Sequence, residues 1–258
     1  MKDNNNEFFE ILWENWQTDS GGKGRCSNCP AHWSVREDFK GDPEKRESSF
    51  QHRPLYGEGN LDADIAIFGM EPGPVRGCDS EQNRRKQSFW DVRHDNITGG
   101  GTIQNANPLF ETIALSNFTA YYTQMKKCNE MENNNANSQA LRQCVGLGNH
   151  EGYIRDELST VDPTYIVTFG KFAFDSMREV LNLKSLGADN FTTELTKGET
   201  TSGLRMVESH DSNIDYKLFP APHPNPQGAW QVWKPLDIEN TKRYYKYFAE
   251  DLIEAIKN

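Results

Sequence analysis

Long hydrophobic runs are missing from this sequence. No apolar stretch approaches the ~20 residues that a helix needs to cross a bilayer, and the mean hydropathy is −0.82. The opening residues, MKDNNNEFFEILWENW, lack a basic stretch followed by an apolar one. A cytoplasmic protein is therefore expected rather than an exported one. Positive charge is also short: Lys and Arg number 28 against 38 Asp and Glu, a net charge of −10. That balance disfavours non-specific attraction to a phosphate backbone, although a local basic patch escapes the exclusion. Arg84-Arg85-Lys86 and Lys126-Lys127 are tight basic runs, and each reads first as solvated loop charge. Cysteine is sparse, at five residues, and in a reducing compartment these read as metal ligands or buried thiols rather than disulfides. Aromatics are not scarce. They make up 11% of the chain, with fourteen Phe and six Trp, which excludes a disordered chain.

A length of 258 residues allows one large domain with a substantial core. Residues 7–17 carry apolar side chains at helical spacing, and the pattern predicts an amphipathic helix. Asp64 to Gly69 is a short apolar run ending in Gly-Met-Glu-Pro-Gly-Pro, as a buried parallel strand looks where it enters a functional loop. Further strands are expected over 120–125, 165–169 and 216–219, and helices over 108–115, 152–161, after Gly170 and over 239–258. Residues 75–107 read as a long irregular loop. Strands alternating with helices imply a parallel sheet covered on both faces. No repeat and no break in composition marks a second domain, so 1–258 is expected to be one α/β domain. Its N-terminal helix and cysteine segment, 1–60, would pack onto the sheet.

In such sheets, sites form at the carboxyl ends of the strands. Glu71, between Met70 and Pro72-Gly73, places a carboxylate at one strand end, and His223, locked between Pro222 and Pro224, places an imidazole at another. A fixed carboxylate and imidazole suit hydrolysis: a base for water and a stabiliser for the leaving group. Each residue alone also reads as an ordinary loop residue. Cys26 and Cys29 form a CxxC, and Cys128 and Cys144 follow with fifteen residues between them. Four thiolates at such positions suit zinc or an iron–sulfur cluster, and spacing alone leaves both open. Cys78 stands outside the pattern.

Read in order, RCSNCP, GEGNLDADIAIFGMEPG, TQMKKC, Cys144, VDPTYIVTFG and PHPNP resemble the uracil-DNA glycosylase superfamily, nearest to its iron–sulfur type. The resemblance spans about residues 25–230. It implies a three-layer α/β/α sandwich with a central four-stranded parallel sheet. It also implies a 4Fe-4S cluster held by Cys26, Cys29, Cys128 and Cys144. GMEPGP and HPNP look instead like the GMNPGP and HPSP of the single-strand-selective glycosylases, with Glu71 in place of Asn. The implied chemistry is hydrolysis of an N-glycosidic bond in a nucleotide flipped out of DNA. Glu71 would orient water and His223 would donate to the departing base. Gly69, Met70, Phe89, Gln124 and Asn225 would line the base, Gln124 standing where the iron–sulfur type has an Asn that reads the pyrimidine edge. Trp90 is the alternative to Phe89 as the stacking ring, and 224–230 would be a loop pressing into the DNA.

The implied partner is DNA, single- or double-stranded, with no membrane, and a monomer is expected. The lengthened amide arm at Gln124, the unusual carboxylate at Glu71 and the long loop carrying Phe89 together point to a modified pyrimidine. A C5-substituted cytosine of phage DNA is the leading expectation, in an antiviral role. Ordinary uracil repair, a non-catalytic DNA-binding relative with the cluster, and a zinc-stabilised nucleoside hydrolase are the competing readings.

Overall fold

Five apolar residues in a row with no polar face can be satisfied only by burial on both sides. Ile65–Gly69 (β2) is such a segment, and every residue in it is buried. The computed structural model describes Arg25 and residues 57–70, 102–127, 137–187, 189–208 and 216–258. Beside β2 run Ala120–Gln124 (β3) and Tyr165–Phe169 (β4), and Lys217–Ala221 (β5) pairs with β4; all three pairings are parallel. These four strands are the expected parallel sheet. A two-residue strand that the sequence did not suggest, Glu58–Gly59 (β1), adds an antiparallel edge on β3, giving the order β1-β3-β2-β4-β5.

The helices cover both faces. On one face lie Asn107–Ala114 (α1) and, at the far end of the chain, Pro226–Trp233 (α6) and Thr241–Lys257 (α7). Leu109, Ile113, Val232, Tyr244, Phe248 and Leu252 from these helices meet Ile65, Ile67 and Val167 of the sheet. On the other face lie Asn137–Val145 (α2), Ile154–Val161 (α3) and Gly170–Val180 (α4), packing Leu141, Leu158, Phe174 and Met177 against Ala66, Phe68 and Ile166. The chain leaves β2 towards β3 on one side and then returns to β4 on the other. The winding therefore reverses at β2, and the crevice at such a reversal is where α/β sheets bind ligands.

Several local expectations differ. β5 runs two residues further than the sequence suggested, through Pro220. Proline is tolerated because β5 closes that side of the sheet order, where a missing N–H costs little. Besides α6, two helices were not foreseen, α2 and the short Phe191–Leu195 (α5). In α2 the apolar positions Leu141, Cys144 and Val145 keep helical spacing within an otherwise polar stretch. Residues 224–230, expected to be a loop, start α6 at Pro226, with Pro pre-set for a first helical turn. The expected helix over 7–17 and most of the expected loop over 75–107 lie outside the described residues; 102–106 of that loop form a turn of 3-10 helix.

Lys126 and Lys127 are not solvated loop charges: both are 1% exposed. The Lys127 ammonium pairs with Glu157 of α3 and donates to Thr123 Oγ1 at 2.8 Å and to the Gln124 carbonyl at 2.7 Å. Thr123 and Tyr121 hydroxyls each donate to Glu157 Oε1 at 2.8 Å. Burial, and then the Glu157 charge, push the Tyr121 phenol well above its ordinary range, so it remains a donor. This network ties α3 to the carboxyl end of β3. A buried ion pair that loses one partner leaves an uncompensated charge, at a cost of about 3–5 kcal/mol. Glu157→Ala is therefore expected to lower unfolding stability in urea by that amount. A loss below about 1 kcal/mol, the scale of an exposed pair, would contradict this picture.

Candidate active site

The site is built where β2 and β3 end together. Gly69 sits opposite Gln124 in register, and the pairing continues beyond the strands. The Met125 N–H donates to the Gly69 carbonyl and the Lys126 N–H to the Met70 carbonyl, both at 2.8 Å. The Gln124 side chain lies over Gly69, where a Cβ would stand 2.2 Å from its Oε1. Only glycine leaves room for the carboxamide. Gln124 is 5% exposed; its Nε2 donates to the Tyr122 hydroxyl at 2.8 Å, and its buried Oε1 has no partner among the described residues. An orphaned buried acceptor costs free energy unless something donates to it.

The second half of the site follows β5. Pro222-His223-Pro224-Asn225 is pinned from two directions: Tyr245 of α7 donates to the Pro222 carbonyl, and Asn105 Nδ2 donates to the Pro224 carbonyl at 2.9 Å. Asn225 turns its carboxamide oxygen to the Gly228 N–H at 2.5 Å and caps α6. His223 packs against the start of α4, where Gly170 has φ +85° and a Cβ would meet His223 Cβ at 3.2 Å. Gly170 thus satisfies both a left-handed turn out of β4 and the close approach of the imidazole. The His223 Nδ1 accepts the Asn225 N–H at 3.3 Å, which leaves the ring proton on Nε2. The imidazole is therefore a donor through Nε2, placed two strands from β2, about 10 Å at the usual strand spacing.

Of the expected site residues, Gly69, Met70 and Gln124 come together, and His223 and Asn225 share the loop after β5. Glu71, Phe89 and the alternative Trp90 lie outside the described residues. Sequence reasoning missed Tyr122, Gly170, Asn105 and Tyr245. For Tyr122 a signal was present: it stands two residues from Gln124 on one strand, and so on the same face.

Of the four cysteines expected to hold the cluster, Cys144 lies among the described residues. Cys144 is buried, free of any disulfide, and its Sγ accepts the Lys127 N–H at 3.3 Å. Burial pushes its thiol up from the ordinary range, against the Lys127 N–H, which pulls it down. Arg25, the neighbour of Cys26, docks beside it. Its carbonyl accepts from Gln143 Nε2 at 3.2 Å, its guanidinium pairs with Asp156, and it lies 5.3 Å over the Tyr153 ring. The chain neighbours of Cys26 and Cys128 therefore both contact the surroundings of Cys144, with an N–H aimed at sulfur as thiolate ligands favour. Cys26, Cys29 and Cys128 themselves lie outside the described residues. Among the described residues no group of three or more His, Cys, Asp or Glu is placed to hold a metal ion.

Burial lowers the His223 pKa from its ordinary 6.5, because desolvation disfavours the charged ring. Its folded value lies below its unfolded one. The stability it contributes is complete above pH 6.5 and is lost as pH falls through the lowered folded value. An NMR titration of the His223 ring should therefore give a midpoint below 6.5. A midpoint at or above that value would contradict a buried, neutral imidazole.

No curated protein matches the chain. The family described as "Uracil DNA glycosylase superfamily" matches residues 56–252, well over half of the sequence, from β1 through most of α7. Among the described residues no helix is long and apolar enough to cross a membrane. A four-stranded parallel core between helices agrees with this match: the chain belongs to the uracil DNA glycosylase superfamily, whose members are DNA glycosylases.

Proposed function

We propose that this protein is a DNA glycosylase that hydrolyses the N-glycosidic bond of a flipped-out pyrimidine and leaves an abasic site. The observation that carries the reading is the buried Gln124 carboxamide, its acceptor oxygen without a partner among the described residues beside Gly69 at the reversal of the sheet. A pyrimidine edge supplies the donor that this oxygen lacks. Glu71, next after Met70, takes a proton from water as the water attacks C1′. The C1′–N1 bond breaks, and its electron pair leaves on the pyrimidine. Negative charge building on the base is met by the Nε2–H of His223, held neutral by burial. A donor already oriented before the reaction needs no reorganisation when the charge appears. Gly69, Met70 and the Asn225 loop wall the pocket, and Phe89 stacks on the base.

Cys26, Cys29, Cys128 and Cys144 hold a 4Fe-4S cluster in this reading. The convergence of Arg25 and Lys127 on the surroundings of Cys144 supports it. The cluster supplies a crosslink between the N-terminal segment and the end of β3 rather than a reacting group. The longer amide arm at Gln124 and the carboxylate at Glu71 favour a modified pyrimidine, with C5-substituted cytosine of phage DNA the substrate and antiviral defence in the cytoplasm the role.

Purified protein should release base from DNA carrying glucosylated hydroxymethylcytosine, with weaker release from uracil-containing DNA, read as strand breaks after alkaline cleavage of abasic sites. Rapid release from uracil DNA alone would return the protein to ordinary repair. Glu71→Gln should slow release about a hundredfold while DNA binding persists, the scale for a positioned proton acceptor. A wild-type rate in that variant would show the carboxylate is not in the reaction. Iron analysis of the holoprotein should find about four irons per chain; one zinc and no visible absorption would overturn the cluster assignment.

A further inference from the structure

A carboxamide is nearly symmetric in shape, so a pocket that reads bases with one must also decide which end of it faces the base. Here one neighbour holds the carboxamide by its nitrogen end. Tyr122 and Gln124 occupy the same face of β3, two residues apart, and the Tyr122 hydroxyl takes the Gln124 Nε2–H at 2.8 Å. The tyrosine ring is itself fixed. Phe110 of α1 meets it edge-on at 5.4 Å, and Phe169 of β4 lies 6.3 Å from it. Tyr122 is 5% exposed, as is Gln124, so no bulk water competes for the amide nitrogen. The oxygen is left over Gly69 without a partner among the described residues.

We infer that Tyr122 is a specificity-determining positioning residue: it anchors the Gln124 nitrogen so that the amide oxygen faces the pyrimidine. The base that fits must bring a hydrogen-bond donor to that point, the 4-amino group of a cytosine. Uracil, whose O4 places an acceptor there, meets oxygen against oxygen and is disfavoured. Without the phenol the amide is free to turn over, offering nitrogen or oxygen at similar cost, and discrimination between the two edge types falls. This inference rests on the glycosylase reading and on Gln124 as the base-reading side chain.

The test measures kcat/KM for base release from two duplexes, one with uracil and one with glucosylated hydroxymethylcytosine. It uses the holoprotein and its Tyr122→Phe, Gln124→Leu and double variants, with folding of each checked by urea unfolding. Phenylalanine keeps the ring contacts and removes only the hydroxyl. Tyr122→Phe is expected to shrink the ratio of the two values roughly fivefold, the worth of one net hydrogen bond of about 1 kcal/mol. In the Gln124→Leu background the same change should leave the ratio where Gln124→Leu put it, because the hydroxyl then has no amide to orient. An unchanged ratio in Tyr122→Phe, or an equal shift with and without Gln124, overturns the inference while leaving the glycosylase reading standing. No release from either duplex by wild-type protein overturns that reading and this inference with it.

Discussion

The buried Lys127–Glu157 pair is the constraint on which the rest of the site depends. Two charges are held out of water only where geometry and surrounding hydrogen bonds offset their desolvation. Here Tyr121, Thr123 and the Gln124 carbonyl complete the shell. The ammonium thus fixes the main chain of Gln124, and the amide of the same lysine reaches Cys144 Sγ. One residue joins the strand end that carries Gln124 to Cys144. Specific polar geometry, rather than apolar packing, sets where β3 stops.

From that anchor the arrangement of the two strand ends follows by exclusion. With Gln124 fixed, its carboxamide occupies the space that a side chain at position 69 would need. The pairing of Met125 and Lys126 with Gly69 and Met70 then carries the two chains together past the last strand residue. On the far side, Gly170 admits the His223 ring, while Tyr245 and Asn105 hold the prolines around it. Rigid backbone at both strand ends is what a preorganised donor and acceptor require.

Much of this architecture was legible in the sequence because its signals are local. The apolar run at 65–69, the alternating elements and the closing amphipathic helix dictate a parallel sheet under helices. Order and spacing of the motifs pointed to His223 and Gln124 at strand ends and singled out Cys144. What stayed hidden depends on contacts between distant segments. A dipeptide such as Lys126-Lys127 looks like solvent-facing charge until α3 brings Glu157 to it, thirty residues on. Tyr122 reads as one more aromatic in a strand until its hydroxyl is seen on Gln124. Pro226 falls in the stretch expected to be a loop, whereas with Asn225 capping it opens a helix. The short helix α5 has too few residues for any periodicity to show.

The central claim is that this pocket breaks an N-glycosidic bond in DNA. Mass spectrometry of both products after incubating the holoprotein with DNA carrying the modified cytosine and with DNA carrying uracil tests it most directly. The account predicts the free base together with an unbroken strand lighter by that base, an abasic sugar in its place. A strand cut with the base still attached, or both DNAs intact with no free base, would contradict it.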